Sequence, residues 1–191
     1  MDARECLMTR RSVRKYKNEP LSDELLMEVL EPALYAPSSM NIQCWYFVVV
    51  RTPEGMDAVK QIMYRSMLEK SPALKERFAN HPEVVEETQN FLTTLGGAPV
   101  CVLAFLLKPE QNGAEGALLS VGAAVENLLL AAQDKGLGTC WMAPAANTAI
   151  KEAFRARFAP DKGDFIAAIT LGWPDQTPKT PPRKDGRYTF I

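Results

Sequence analysis

The stretch from Ala114 to Lys135 constrains the fold more than any other, because its centre, Leu118-Leu-Ser-Val-Gly-Ala-Ala-Val-Glu-Asn-Leu-Leu-Leu-Ala-Ala132, is nearly apolar all round a helix. Such a helix has almost no wet face, so it belongs at the centre of the structure with other elements around it. Gly116, Gly122, Ala123 and Ala124 would let another backbone approach closely, as at a seam between two copies. The chain can supply cover, since 191 residues, 47% of them hydrophobic, suffice for a real core and fit one domain, residues 1–191.

The covering elements can be read in order. Ala3 to Arg10 reads as a short helix with Cys6 and Leu7 inward. Ser22 is placed to cap a second helix whose apolar stripe is Leu25, Leu26, Val29, Leu30 and Ala33, with Pro32 kinking or ending it. Trp45 to Arg51 is aromatic and β-branched, hence a strand. Residues 53–95 are polar and helical, with Met56, Val59, Ile62, Met63 and Met67 at helical spacing, breakers at Pro72 and Pro82, and a second helix from about Glu83 to Thr93. They read as a helical excursion or lid. Pro99 to Leu107, bounded by Gly96-Gly-Ala98 and Lys108-Pro109, is a strand covered on both faces. Gly136 ends the central helix, and a short strand follows, closing in a turn at Pro144 with free backbone N–H groups. Asn147 caps a helix to about Phe158, and Phe165 to Leu171 is another buried strand. The tail, Pro178 to Lys184, is stiffened by proline and runs extended.

Several chemistries are excluded. Cys6, Cys44, Cys101 and Cys140 are scattered without a CxxC pair, so buried free thiols are expected rather than disulfides or zinc. The single histidine, His81, sits in a polar loop, which removes histidine-based triads and His-rich metal centres; no metal is expected. GxSxG, GxxxxGK[ST] and GxGxxG are all missing. The longest uninterrupted apolar run, Pro99 to Leu107, is short of the roughly 18 residues of a membrane span, and the first residues carry no signal-like apolar core. The expectation is a cytoplasmic protein with no membrane partner.

Charge is the remaining clue. Residues 1–20 carry six cations against three anions and residues 179–191 four against one, so each end is +3 on a chain of net charge −1. Thr9-Arg-Arg-Ser-Val-Arg-Lys-Tyr16 concentrates the first cluster. Arginine forks match phosphate oxygens bidentately and serine adds a neutral donor, so two basic ends on an acidic body suggest convergence on one phosphorylated ligand. Nucleic acid would instead require an extended basic surface and a high pI.

Four separated segments together resemble the FMN-dependent nitroreductase-like family. They are Arg10-Arg-Ser-Val-Arg14; Ala36-Pro-Ser-Ser-x-Asn-x-Gln43 before an aromatic strand; the Ala/Leu helix followed by Gly136-Leu-Gly-Thr-Cys-Trp141; and Leu171-Gly-Trp-Pro174 with a Pro181-Pro-Arg-Lys184 tail. The resemblance covers most of the chain apart from residues 53–95. It implies an α+β fold, a central mixed, mainly antiparallel β-sheet flanked by helices, in an intertwined homodimer with FMN at the subunit interface. It implies that Arg10 and Ser12 hold the phosphate and ribityl chain, with Arg183 closing from the tail and Lys179 or Lys184 as alternatives. Arg11 belongs to the same motif. Arg14 matches a cation beside the pyrimidine edge of the flavin, where positive charge favours the anionic reduced ring. Pro37, Ser38, Ser39 and Asn41 match a loop reaching the flavin from the partner subunit, and Trp141, Met142 and Ala143 a segment lying against the ring through its backbone. The implied activity is ping-pong transfer of electrons from NAD(P)H to a nitroaromatic, quinone or similar small-molecule acceptor. The alternatives are a flavin-binding protein of the same fold with a different reaction, reductive dehalogenation or flavin fragmentation, and a non-enzymatic interaction module. The sequence departs from the family pattern at Pro32, Cys44 and Asp185-Gly-Arg-Tyr188.

Overall fold

A computed structural model describes residues 1–107, 113–143 and 148–191; the expected roles of Lys108, Pro109, Pro144 and Asn147 lie outside the described residues. The described residues form six α-helices, α1 (Ala3–Thr9), α2 (Asp23–Leu30), α3 (Pro53–Arg77), α4 (Pro82–Thr94), α5 (Gly113–Asp134) and α6 (Thr148–Phe158). They also form four strands, β1 (Trp45–Val50), β2 (Val100–Leu106), β3 (Gly138–Met142) and β4 (Phe165–Gly172). The strands make one antiparallel sheet in the order β1-β2-β4-β3, so the architecture is α+β. Among the described residues, the parallel pairing is a single bridge between Ser12 and Thr139.

β2 explains why its sequence does not alternate. Val100, Val102, Ala104 and Leu106 face one core with α2 and α5, while Cys101, Leu103 and Phe105 face a second core with α3, α4 and α6, so every position is dry. Phe154 stacks on Phe165 with ring centroids 4.0 Å apart and anchors α6 to the second core. All four cysteines are buried and free.

α5 lies against the sheet through Ala117, Val121, Ala124, Val125, Leu128, Leu129 and Ala132. It ends in a Schellman arrangement: Gly136, at φ +74°, donates to the Gln133 carbonyl, and Leu137 donates to that of Ala132. By length and composition Glu115–Asp134 would qualify as a membrane span, although Ser120, Glu126 and Asn127 interrupt its apolar run. Its packing accounts for the composition only on one side. Leu118 and Leu119 are 46% and 75% exposed, so the chain does not cover the helix all round as the sequence led us to expect.

Two expectations are corrected. Leu7 points outward and is 58% exposed, because in the seven-residue α1 only the Cys6 face meets the core and Leu7 lies about 100° further round. Pro72 does not break α3, which runs through it to Arg77. Ser71 accepts a 2.7 Å hydrogen bond from Gln89 Nε2 of α4, and this packing against α4 outweighs the local cost of the proline. Pro32 ends α2 as expected, but the chain continues as a 3₁₀ turn over Glu31–Tyr35.

Candidate functional site

β3 is an edge strand, and its open side receives the basic N-terminal stretch. The Val13 N–H donates to the Thr139 carbonyl at 2.8 Å, and Gly138 permits this approach, since a Cβ there would strike the Val13 side chain. On its other side the same stretch meets the start of the tail. Lys17 N–H donates to the Trp173 carbonyl, Asp175 N–H donates to that of Lys15 (both 2.9 Å), and Lys15 pairs with Asp175 at 3.0 Å. Arg10 to Arg14 are thereby held between β3 and the chain's last residues.

The result is a cleft of about 400 Å³ lined by Arg10, Arg11, Ser12, Arg14, Pro178, Lys179, Thr180, Pro181 and Arg183. The predicted convergence of the two basic ends is thus present. Arg10 lies 3.6 Å from Glu126 of α5; among the described residues no carboxylate pairs with Arg11, Arg14, Lys179 or Arg183. Lys184 does not line the cleft. Arg14 sits 5.9 Å from the Phe91 ring centroid, and its backbone is fixed by Gly96, at φ +63°, where any Cβ would collide with the Arg14 carbonyl. Beneath the cluster lies the Cys140 thiol. Burial pushes its pKa up, and the Arg14 charge and the Ser12 hydroxyl oppose that shift. Tyr16 is buried just behind, donating to the Val13 carbonyl at 2.6 Å and lying 2.7 Å from Thr170 Oγ1; burial raises its pKa well above the ordinary phenol value.

Trp141 and Ala143 emerge at the end of β3, with Trp141 38% exposed and its ring against Gly122 of α5, whereas the Met142 side chain is buried in the second core. The loop with Pro37, Ser38, Ser39 and Asn41 is not brought into the cleft. It lies near the start of α5, where Ser39 N–H donates to Ser120 Oγ at 3.2 Å and Gly116 faces the Ser39 side chain. Glu126, which marks Arg10's place on α5, is ten residues further along the helix than Gly116, about 15 Å by its rise. The loop is also strained. Met40, Asn41 and Gln43 all have positive φ, near +50°, held in part by the Gln43 N–H donating to Ser38 Oγ at 3.0 Å.

Two contributors carried no sequence signal. Lys70 of α3 donates to the Ala143 carbonyl at 2.7 Å, and partial burial lowers its pKa. Thr180 accepts from Arg11 through Nε (3.2 Å) and Nη2 (2.8 Å). His81 is exposed at the start of α4, 3.2 Å from Glu83, and does not line the cleft.

Comparison with known proteins bears on the family and the fold. The sequence model of the nitroreductase family matches residues 7–173. A Bacillus subtilis protein provisionally named NAD(P)H nitroreductase YfhC is 29% identical over 189 residues, covering 98% of this chain and 92% of its own. A solved nitroreductase with bound FMN from Desulfitobacterium hafniense DCB-2 aligns with TM-score 0.76 at 26% identity, covering 100% of this chain and 99% of that one. A BluB-like flavoprotein from Clostridium difficile 630 aligns with TM-score 0.76 at 27% identity and the same coverage.

Proposed function

The chain belongs to the nitroreductase family, and on that premise we propose that it is an FMN-dependent oxidoreductase taking electrons from NAD(P)H and passing them, in ping-pong order, to a nitroaromatic, quinone or similarly electron-poor small molecule. The observation that carries this reading is the cleft in which Arg10, Ser12 and Arg14 face Lys179 and Arg183, with four of the five lining cations lacking a carboxylate partner among the described residues. A phosphate monoester, carrying about two negative charges near neutral pH, answers that surplus, and the cleft has the volume of an ordinary ligand site.

In this reading Arg10 and Ser12 hold the phosphate and ribityl chain, Lys179 and Arg183 approach the phosphate from the tail, and Arg14 lies at the pyrimidine edge. The backbone of Trp141, Met142 and Ala143 orients the ring, and Lys70 holds the Ala143 carbonyl by donating to it. FMN, when bound, supplies the hydride and electron transfer itself, so no side-chain nucleophile is needed.

The site is completed in a homodimer with FMN at the subunit interface. Supporting this are the uncovered Leu118 and Leu119 on α5 and the separation of the serine loop from the cleft within one chain. The partner subunit's Ser38, Ser39 and Asn41 then reach the flavin. A neighbouring cavity of about 860 Å³ beside α1 and α5, lined by Cys6, Leu7, Pro32, Tyr35, Leu130 and Ala131 among others, belongs to the same uncovered face.

The purified protein is expected to be yellow or to turn yellow on reconstitution with FMN, to be bleached by NADH or NADPH without oxygen, and to regain colour on adding a nitroaromatic or quinone. A colourless protein that takes up no FMN contradicts the reading. A second reading, a flavoprotein of the same fold with a different reaction, rests on the equal TM-scores to the nitroreductase and the BluB-like flavoprotein. It gains if FMN binds and neither nicotinamide bleaches it.

A further inference from the structure

We propose that Arg11 and Thr180 form a latch holding the tail across the basic cleft, so that Arg11 positions the tail's cations instead of gripping the anion itself. The inference rests on the reading above for what the cleft holds, and on the geometry alone for the latch.

Arg11 grips planar or tetrahedral anions best through the fork made by Nε and Nη2. Here both atoms of that fork donate to Thr180 Oγ1, at 3.2 and 2.8 Å, and Nη1 donates to the Arg10 carbonyl at 2.6 Å. Every nitrogen of the guanidinium is engaged within the chain. Arg10 and Arg14 have no such bond to the tail among the described residues.

The tail depends on this contact. Its last upstream anchor is the pairing of Asp175 with Lys15. Beyond it, the Arg11–Thr180 contact is the one hydrogen bond or ion pair, among the described residues, joining residues 176–191 to the rest of the chain. Pro178, Pro181 and Pro182 contribute no donors and stiffen the segment, so fixing Thr180 fixes Lys179 beside it and Arg183 about 9 Å further on. Both line the cleft. Without the latch, repulsion between these two and Arg10, Arg11 and Arg14 drives the tail outward, because like charges destabilise each other at short range. The latch therefore assembles the cleft before the anion arrives.

Four variants test this: Thr180→Val, which keeps the shape and removes the hydroxyl, Thr180→Ser, which restores it, Arg11→Ala, and the double variant Arg11→Ala/Thr180→Val. Limited trypsin digestion of FMN-free protein reads tail opening directly, through cleavage of the Lys179–Thr180 bond at the latch, measured by mass. Thr180→Val and Arg11→Ala are expected to raise that rate roughly three- to tenfold, the worth of one modest hydrogen bond, with Thr180→Ser near wild type. FMN titration by fluorescence quenching supplies the second arm. The two single variants should weaken binding by a similar factor, and the double variant should be no weaker than Arg11→Ala alone. Unchanged trypsin cleavage in Thr180→Val overturns the latch, as does a double variant whose losses multiply, which would make Arg11 a direct ligand. If no variant and no wild-type protein binds FMN, the cofactor reading fails while the digestion still decides the latch.

Discussion

Gly96 is the residue whose replacement reports most sharply on how the site is held. It sits at φ +63°, where a Cβ would collide with the Arg14 carbonyl oxygen, and the Gly96 carbonyl accepts from the Tyr16 N–H at 3.0 Å. Gly96→Ala is expected to cost at least about 2 kcal/mol of unfolding free energy in a urea titration, from the left-handed backbone and the displaced Arg14 strand together. A loss within a few tenths would mean that the Arg10–Arg14 stretch yields freely. At this scale the sequence was informative where charge is involved: the convergence of the two basic ends was legible from charge alone, and the family resemblance singled out Arg10, Ser12, Arg14 and Arg183 within them. Lys70 and Thr180 were not, since each acts on a residue far along the chain, Ala143 and Arg11, through a contact that no local pattern encodes.

Among the elements, α5 carries the most consequence. Its composition led to burial all round, and the chain buries one side while leaving Leu119 75% exposed. If a second copy covers that side, Leu119→Glu places a charge in an apolar seam and should shift the protein from dimer to monomer in light scattering, with FMN lost in parallel because the partner's serine loop leaves with it. A wild-type protein that is monomeric and still binds FMN would refute the shared site. β2 and β4 were legible from their continuous apolar runs, because burial on both faces removes alternation, and β1 from its aromatic and β-branched residues. Pro72 shows the opposite case. Local propensity favours a break there, and packing of α3 on α4, including the Gln89–Ser71 bond, overrides it.

For the molecule as a whole, the two dry cores flanking one sheet set both the pH response and the reactivity of the thiols. Burial pushes the Cys101 thiol up to about 12 from an ordinary value near 9, and raises Tyr16 as well. A folded-state pKa above the unfolded one gives stability that is fully present below the unfolded value and is lost as pH rises through the folded one. The urea midpoint should therefore be flat around pH 7 to 8 and fall from about pH 9 upward, less steeply in Cys101→Val. Cys101, with no exposed surface, should react with a thiol reagent only as fast as the fold opens. The central claim is that a cleft made by both chain ends holds the phosphate of FMN, and comparison of FMN with riboflavin, which lacks only that phosphate, tests it most directly. Titrated into apoprotein at low ionic strength, FMN should bind at least tenfold tighter than riboflavin, and Arg10→Ala should weaken FMN by one to two orders of magnitude while leaving riboflavin nearly unchanged, the worth of a charge-assisted hydrogen bond. Equal affinities for the two flavins, or an Arg10→Ala loss identical for both, would contradict the account.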